Sequence, residues 1–205
     1  MVDIKNDLPS HFLHPVALMP TKIKRRQLIE RAEGFLDLAM ALDSDLALEL
    51  STKQSLSDRV FSCLNQIQKP LGHKPYVLFL KGQACRMSEE HDKALRFFEQ
   101  SQRIDPDNIH LYFALGWSYK RVGRVDEAIK AMKRAVELDA ESAIAHYNLS
   151  CYFALEEQIE SALMHLSYAF ELDSSYREMA IFETDFELIR SDPRFATMTT
   201  IVDPV

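Results

Sequence analysis

Glycine is scarce in this chain, five residues in 205. That leaves little for the tight turns of a β-sandwich or barrel and favours helices. Cysteine is sparse too. Cys63, Cys85 and Cys151 are far apart, odd in number and free of any C-x-x-C spacing, which fits reduced thiols inside a cell rather than a disulfide scaffold. No apolar run approaches the ~20 residues that span a bilayer. The opening stretch "MVDIKNDLPSHFLHPVALMP" places acids and prolines where a signal peptide needs a basic start and an unbroken apolar run. Basic residues are outnumbered 24 to 31, for a net charge of −7, so nothing draws the chain in bulk to nucleic acid or to an anionic membrane. A soluble, cytoplasmic protein with neither as a partner is expected.

Catalytic signatures are missing as well. No G-x-x-x-x-G-K-[ST] or G-x-G-x-x-G cradles a phosphate, and no H-E-x-x-H offers a metal site. The histidines show no metal-ligand spacing within a helix, although His146 and His165 could still meet in space. "DPDN" at 105–108 lacks the third acid and the glycine of a calcium loop. Asn148-Leu149-Ser150 is a glycosylation sequon only in form. Cys85 falls on a core-facing place and reads as packing rather than nucleophile. The basic run "KIKRR" at 22–26 lacks interleaved aromatics and reads as a solvated first turn of helix. No catalytic residue, metal or cofactor is expected, and the protein is read as not an enzyme. An enzyme whose site leaves no trace in sequence is the remaining alternative.

What the chain does have is a period. With 47% apolar and 27% charged residues it is an ordinary globular sequence, and offset by 34 it overlays on itself three times. The blocks are 75–108, 109–142 and 143–176. A small residue recurs at the eighth place (Gly82, Gly116, Ser150), alanine at the twentieth (Ala94, Ala128, Ala162), and another small residue at the twenty-seventh (Ser101, Ala135, Ala169). Apolar residues recur at helical spacing in both halves of each block. The pattern describes two antiparallel helices whose small residues let their backbones approach at the short end of the usual 8–10 Å range. "SEEHD", Gly123 and "EEQIE" mark the turns, and Asp105-Pro106 closes the first block.

These blocks resemble tetratricopeptide repeats, whose W-x-x-L-G-x-x-Y…A-x-x-x-F…A…P pattern has this period. Leu115, Gly116, Tyr119, Ala128 and Ala135 carry the match in the middle block. Gly82, Ala94, Phe98 and Pro106 carry it in the first, and Leu149, Phe153, Ala162 and Ala169 in the third. Lys81, Ser150, Ala140 and Ser174 depart from the pattern. The resemblance implies an all-α, right-handed solenoid of antiparallel helix pairs, with the three repeats over 75–174 and capping helices at both ends. Residues 22–74 are expected to form N-terminal helices, with Gly34 at the small position of a degenerate fourth repeat and a further helix over 56–68. Residues 176–190 read as one amphipathic helix bearing Met179, Phe182, Phe186 and Ile189, with Phe195 tucking back. The C-terminal cap and tail span 176–205, and their ending is similar to that of small stand-alone bacterial tetratricopeptide proteins. Residues 1–21, broken by Pro9, Pro15 and Pro20, form an extended apolar segment that must lie against something.

The resemblance also implies a concave groove lined by the first helix of each pair. Its places two, five, nine and twelve are Tyr76, Phe79, Gln83 and Arg86, then His110, Phe113, Trp117 and Lys120, then Ile144, Tyr147, Cys151 and Ala154. From these the peptide-binding set is Tyr76, Phe79, Gln83, Arg86, His110, Phe113, Trp117, Lys120, Tyr147 and Cys151. Tyr112, Leu115 and Tyr119 belong to the core. The family's carboxylate clamp needs lysine and asparagine where Phe79, Gln83, Phe113 and Trp117 stand, so the acidic tails of heat-shock chaperones are not expected as partners. The expected function is a protein-interaction module, or scaffold, that holds a peptide or helix segment. Alternatives in the same class are a secretion-chaperone-like cargo holder, and self-association in which residues 1–21 occupy the groove.

Overall fold

The computed structural model describes residues 21–67 and 73–200. The extended segment expected over 1–21 therefore falls, but for its last residue, outside the described part. Among the described residues ten α-helices follow one another: α1 Thr21–Leu46, α2 Leu50–Asn65, α3 Lys74–Met87, α4 His91–Gln102, α5 Ile109–Arg121, α6 Val125–Leu138, α7 Ala143–Leu155, α8 Ile159–Leu172, α9 Tyr176–Phe182 and α10 Pro193–Thr199, with a 3-10 turn over Thr184–Ile189 between the last two. No strand occurs among the described residues. Each helix packs on the next, so that α3–α4, α5–α6 and α7–α8 form hairpins stacked in a row, with α1–α2 as a further hairpin before them. This is the α-solenoid that the 34-residue period implies.

The small residues sit where close approach requires them. Ala94, Ala128 and Ala162 are fully buried, as are Ser150, Ala135 and Ala169, and Ser101 is nearly so. A Cβ on Gly82 would lie 2.3 Å from Cε1 of the buried Phe98 ring, and one on Gly116 would lie 2.8 Å from Met132 Cε. No described residue stands within 4 Å of such an atom on Gly34, so among the described residues α1–α2 does not use that glycine for packing. Leu111, Leu115, Met132, Leu149 and Leu166 fill the space between hairpins, each contributing about 1.5–3 kcal/mol by leaving water.

The three inter-helix turns share one backbone device. Glu89, Gly123 and Glu157 occupy the same place in successive blocks and all have positive φ, at 62°, 76° and 54°. Each lets its helix end by a pair of bonds: Glu90 N–H reaches Cys85 O and Glu89 N–H reaches Arg86 O, with Arg124 and Gly123, then Gln158 and Glu157, repeating the arrangement. Ala47, at φ 46°, turns α1 into α2. It stands 42 residues before Glu89 rather than 34, and this longer unit takes the first hairpin out of the period. The second helix of that hairpin starts at Leu50 and not at 56, which leaves Ser57 buried mid-helix instead of at an N-terminus.

The C-terminal cap differs from the single helix expected over 176–190. The chain breaks at Glu183, and Met179 and Phe182 face solvent at 53% and 82% exposure while Phe186 and Ile189 are buried. Arg190 secures the break by donating to the carbonyls of Ile181 and Glu183. The expected tuck of Phe195 is present, its ring 5.4 Å from that of Phe186.

Candidate functional site

Helical spacing of three and four residues puts Tyr76, Phe79, Gln83 and Arg86 on one face of α3, and His110, Phe113 and Trp117 on the matching face of α5. These seven residues, with Asn108, Ala114, Ile144, Asn148 and Tyr152, line a cavity of about 540 Å³. Tyr76 and Phe79 stack at 6.3 Å and Phe79 leans on Phe98 at 5.9 Å, so the wall is an outer layer of aromatics resting on the core. Burial, then the hydrogen bond to Glu33, pushes the Tyr76 phenol up to about 12. It is a neutral donor at any working pH.

Two smaller cavities adjoin the first. One of about 300 Å³ is shared by Arg86, Trp117, Met40, Lys53, Met87, His91 and Arg121, among others. The other, of about 200 Å³, lies between α1 and α3, where Glu33, Leu36, Asp37 and Met40 face Tyr76, Phe79 and Gln83. Trp117 stands between the first two at 36% exposure. Arg86 and Arg121 approach its ring at 5.1 and 5.6 Å, and His91 meets it edge-on at 5.1 Å.

Three of the ten sequence-selected residues are placed elsewhere. Tyr147 is buried, its ring 4.7 Å from Tyr176 and 5.8 Å from Phe186. Cys151 is buried beside it, and that burial, with Asp185 next, pushes its thiol well above the ordinary value. Lys120 forms an ion pair with Asp185 of the 3-10 turn. The cause is common to all three. The C-terminal cap folds over the part of the concave face that belongs to the third block, so its groove places become core. Burial raises the Asp185 carboxyl above its usual range, and Lys120 opposes that rise. Among the core residues named from sequence, Tyr112 and Leu115 are buried, while Tyr119 is half-buried with its hydroxyl 3.0 Å from Glu99.

Position-by-position reasoning missed Tyr152, Arg121, His91 and the contribution of α1. Arg121 follows Lys120 by one residue, and which of the two neighbouring cations faces Trp117 depends on the cap, which no local pattern reveals.

The structure does bring His146 and His165 together, Nδ1 to Nδ1 at 2.9 Å, with His146 Nε2 3.2 Å from Ala140 O. Burial first, then His146 and Lys133, lowers His165 to about 4. Among the described residues no group of three or more His, Cys, Asp or Glu side chains is arranged to hold a metal. The three cysteines are buried and unpaired, and among the described residues no helix is long and apolar enough to cross a membrane.

Comparison with known proteins agrees with the geometry. The tetratricopeptide-repeat family model matches residues 86–149. Superkiller protein 3 of Saccharomyces cerevisiae is 27% identical over 59 residues, a match that takes in 29% of this chain and only 4% of that protein. Among solved structures, YrrB, described as a TPR protein with an unusual peptide-binding site, superposes with a TM-score of 0.55 at 17% identity, over 88% of this chain and 89% of that one. MamA from Desulfovibrio magneticus RS-1 gives 0.55 at 18% identity, over 78% and 98%. At such identities the likeness is one of fold.

Proposed function

From the premise that the chain is a tetratricopeptide-repeat protein, we propose that it is a non-catalytic interaction module whose concave face holds an extended or helical segment of a partner protein. The observation that supports this most is the open aromatic wall of α3 and α5. Tyr76 and Trp117 are 39% and 36% exposed around a 540 Å³ cavity, an arrangement that gives up apolar burial unless a ligand supplies it. Aromatic side chains in a concave setting are the usual energetic anchors of an interface, because they desolvate a large area at small entropic cost. Phe79 and Phe113 would floor the groove while Tyr76 and Trp117 clasp the ligand from its edges. Tyr147 and Cys151 have no part in this reading, and Lys120 acts only by holding the cap.

Peptides selected from a displayed random library on the full chain provide the test. Binding is followed by the fluorescence of Trp117, the chain's single tryptophan, and by calorimetry for variants that lack it. Trp117→Ala and Phe113→Ala should each weaken a selected peptide by about 2 kcal/mol with unchanged far-UV circular dichroism. Selected peptides that bind both variants as tightly as the parent would place the ligand elsewhere and refute the groove.

A further inference from the structure

An acidic chain has gathered cations at one corner of its groove. Arg26, Arg124, Arg134, Arg190 and Arg194 each hold a carboxylate. Arg86 does not. Half-buried and lining all three cavities, it donates to the neutral Gln83 Oε1 at 2.7 Å, and burial lowers its guanidinium below the ordinary value. It forms no ion pair with a described residue, and neither does Arg121. Both guanidiniums crowd the Trp117 ring, and His91 stands against the ring's edge with its Nδ1 buried and lacking a hydrogen-bond partner. Burial, then the charge of Arg121, holds His91 below its usual value. Arg86 adds to this, while Glu89 and Asp92 pull the other way and do not prevail. Removing a cation from water without a counter-charge is costly, a cost that falls on the half-buried Arg86; Arg86, Arg121 and His91 share one ring, and none of the three forms an ion pair with a described residue.

We infer that this corner is an anion subsite of the groove, taking the carboxylate of an aspartate or glutamate side chain in the apolar segment that docks there. The inference rests on the groove reading above and adds the charge of the partner. A guanidinium presents parallel N–H donors that fit a carboxylate edge-on, and the Arg86 and Arg121 guanidinium carbons lie 5.1 and 5.6 Å from the Trp117 ring centre. The adjoining wall is aromatic and amide, suited to apolar side chains on either side of the acid. Glu33 and Asp37 on the third cavity and Glu89 on the second disfavour a doubly charged phosphate more than a singly charged carboxylate.

Two experiments on the full chain test it. In the first, a groove-selected peptide carrying one glutamate is compared with its Glu→Gln twin. The wild type should prefer the glutamate about tenfold or more, Arg86→Gln and Arg121→Gln should reduce that preference, and Arg86→Lys should keep part of it. The apolar contribution, read by Phe113→Ala, should persist in the arginine variants. Equal affinity for the twins, with Phe113 still needed, overturns the anion subsite and leaves the groove standing. The second experiment needs no peptide. The His91 imidazole is titrated by NMR with butyrate, with inorganic phosphate and with neither. Butyrate should raise the His91 pKa in the wild type and not in Arg121→Gln, whose exposed site spares the fold. A response to phosphate alone, or to neither anion, overturns the assignment.

Discussion

One substitution, glycine to alanine, should stabilise at one place in this chain, destabilise at a second and nearly cancel at a third. In a helix interior alanine is favoured over glycine by about 1 kcal/mol. Gly34 lies within α1 with nothing within 4 Å of a new Cβ, so Gly34→Ala should gain the whole of that. For a protein of this size the gain is about 2–4 °C in Tm. At Gly82 the same atom would sit 2.3, 2.5 and 2.8 Å from three carbons of Phe98. That ring is fully buried and already touches Phe79, so it cannot swing aside. Overpacking of this kind costs about 1–3 kcal/mol, and Gly82→Ala should be destabilised by up to about 2 kcal/mol after the helix gain is subtracted. At Gly116 the tightest neighbour is Met132 Cε at 2.8 Å, the far end of a flexible side chain, with Tyr152 at 3.3 Å, and the two effects should nearly cancel. Urea unfolding followed by circular dichroism, with slopes held equal, gives the three values on one scale. A Gly82→Ala variant as stable as Gly34→Ala would refute the claim that the eighth place is small because two helices meet there.

Further outcomes follow from the turns, the cap and the buried titrating groups. Glu89→Gly and Glu157→Gly relieve side chains held at φ 62° and 54°, and each should raise stability by about 1 kcal/mol in the same urea assay. Lys120→Met leaves the buried Asp185 carboxylate unpaired and should destabilise by roughly 3 kcal/mol at neutral pH. Because the raised folded-state pKa of Asp185 makes the native state bind its proton more readily, that loss should shrink as pH is lowered through the carboxylate range, whereas a pH-independent loss would contradict the pairing. His165, lowered to about 4, is neutral when folded and charges when unfolded. Stability should therefore fall as pH drops from about 6.5 toward 4, with a gentler slope in His165→Gln, as read by melts across that range. Cys63, Cys85 and Cys151 are buried, and Cys85 is pushed up to about 11, so a thiol reagent should modify none of them quickly until denaturant is added.

The hairpins of residues 75–172 were legible because their constraint is local and repeated. Gly82, Ala94, Ser101 and their counterparts are small for a reason that recurs every 34 residues. The first hairpin was harder to read, since its turn at Ala47 falls outside the period and no glycine marks it. The cap misled for a different reason. Residues 176–190 have the spacing of one amphipathic helix, and local propensity gives no cause to break at Glu183. The break serves distant contacts, Phe186 on Tyr147 and Asp185 on Lys120, which exist only once α5 and α7 are in place. The wall of α3 and α5 could be placed from repeat position alone, whereas the fate of Tyr147 and Cys151 and the choice between Lys120 and Arg121 could not.

The ion pair between Lys120 and Asp185 is also a statement about length. It stands at the C-terminal end of α5, and the 3-10 turn behind it covers Tyr147 of α7, while Ile144 and Asn148 of the same helix still line the cavity. A segment lying across α3 and α5 would meet that turn on the Lys120 side. On the proposed groove reading this is a stop on one side, from which a bound segment would be measured toward α1. A partner segment held there would have room toward the first hairpin and none past Asp185, so its register, which an open-ended solenoid leaves free to slide, would be set by that contact.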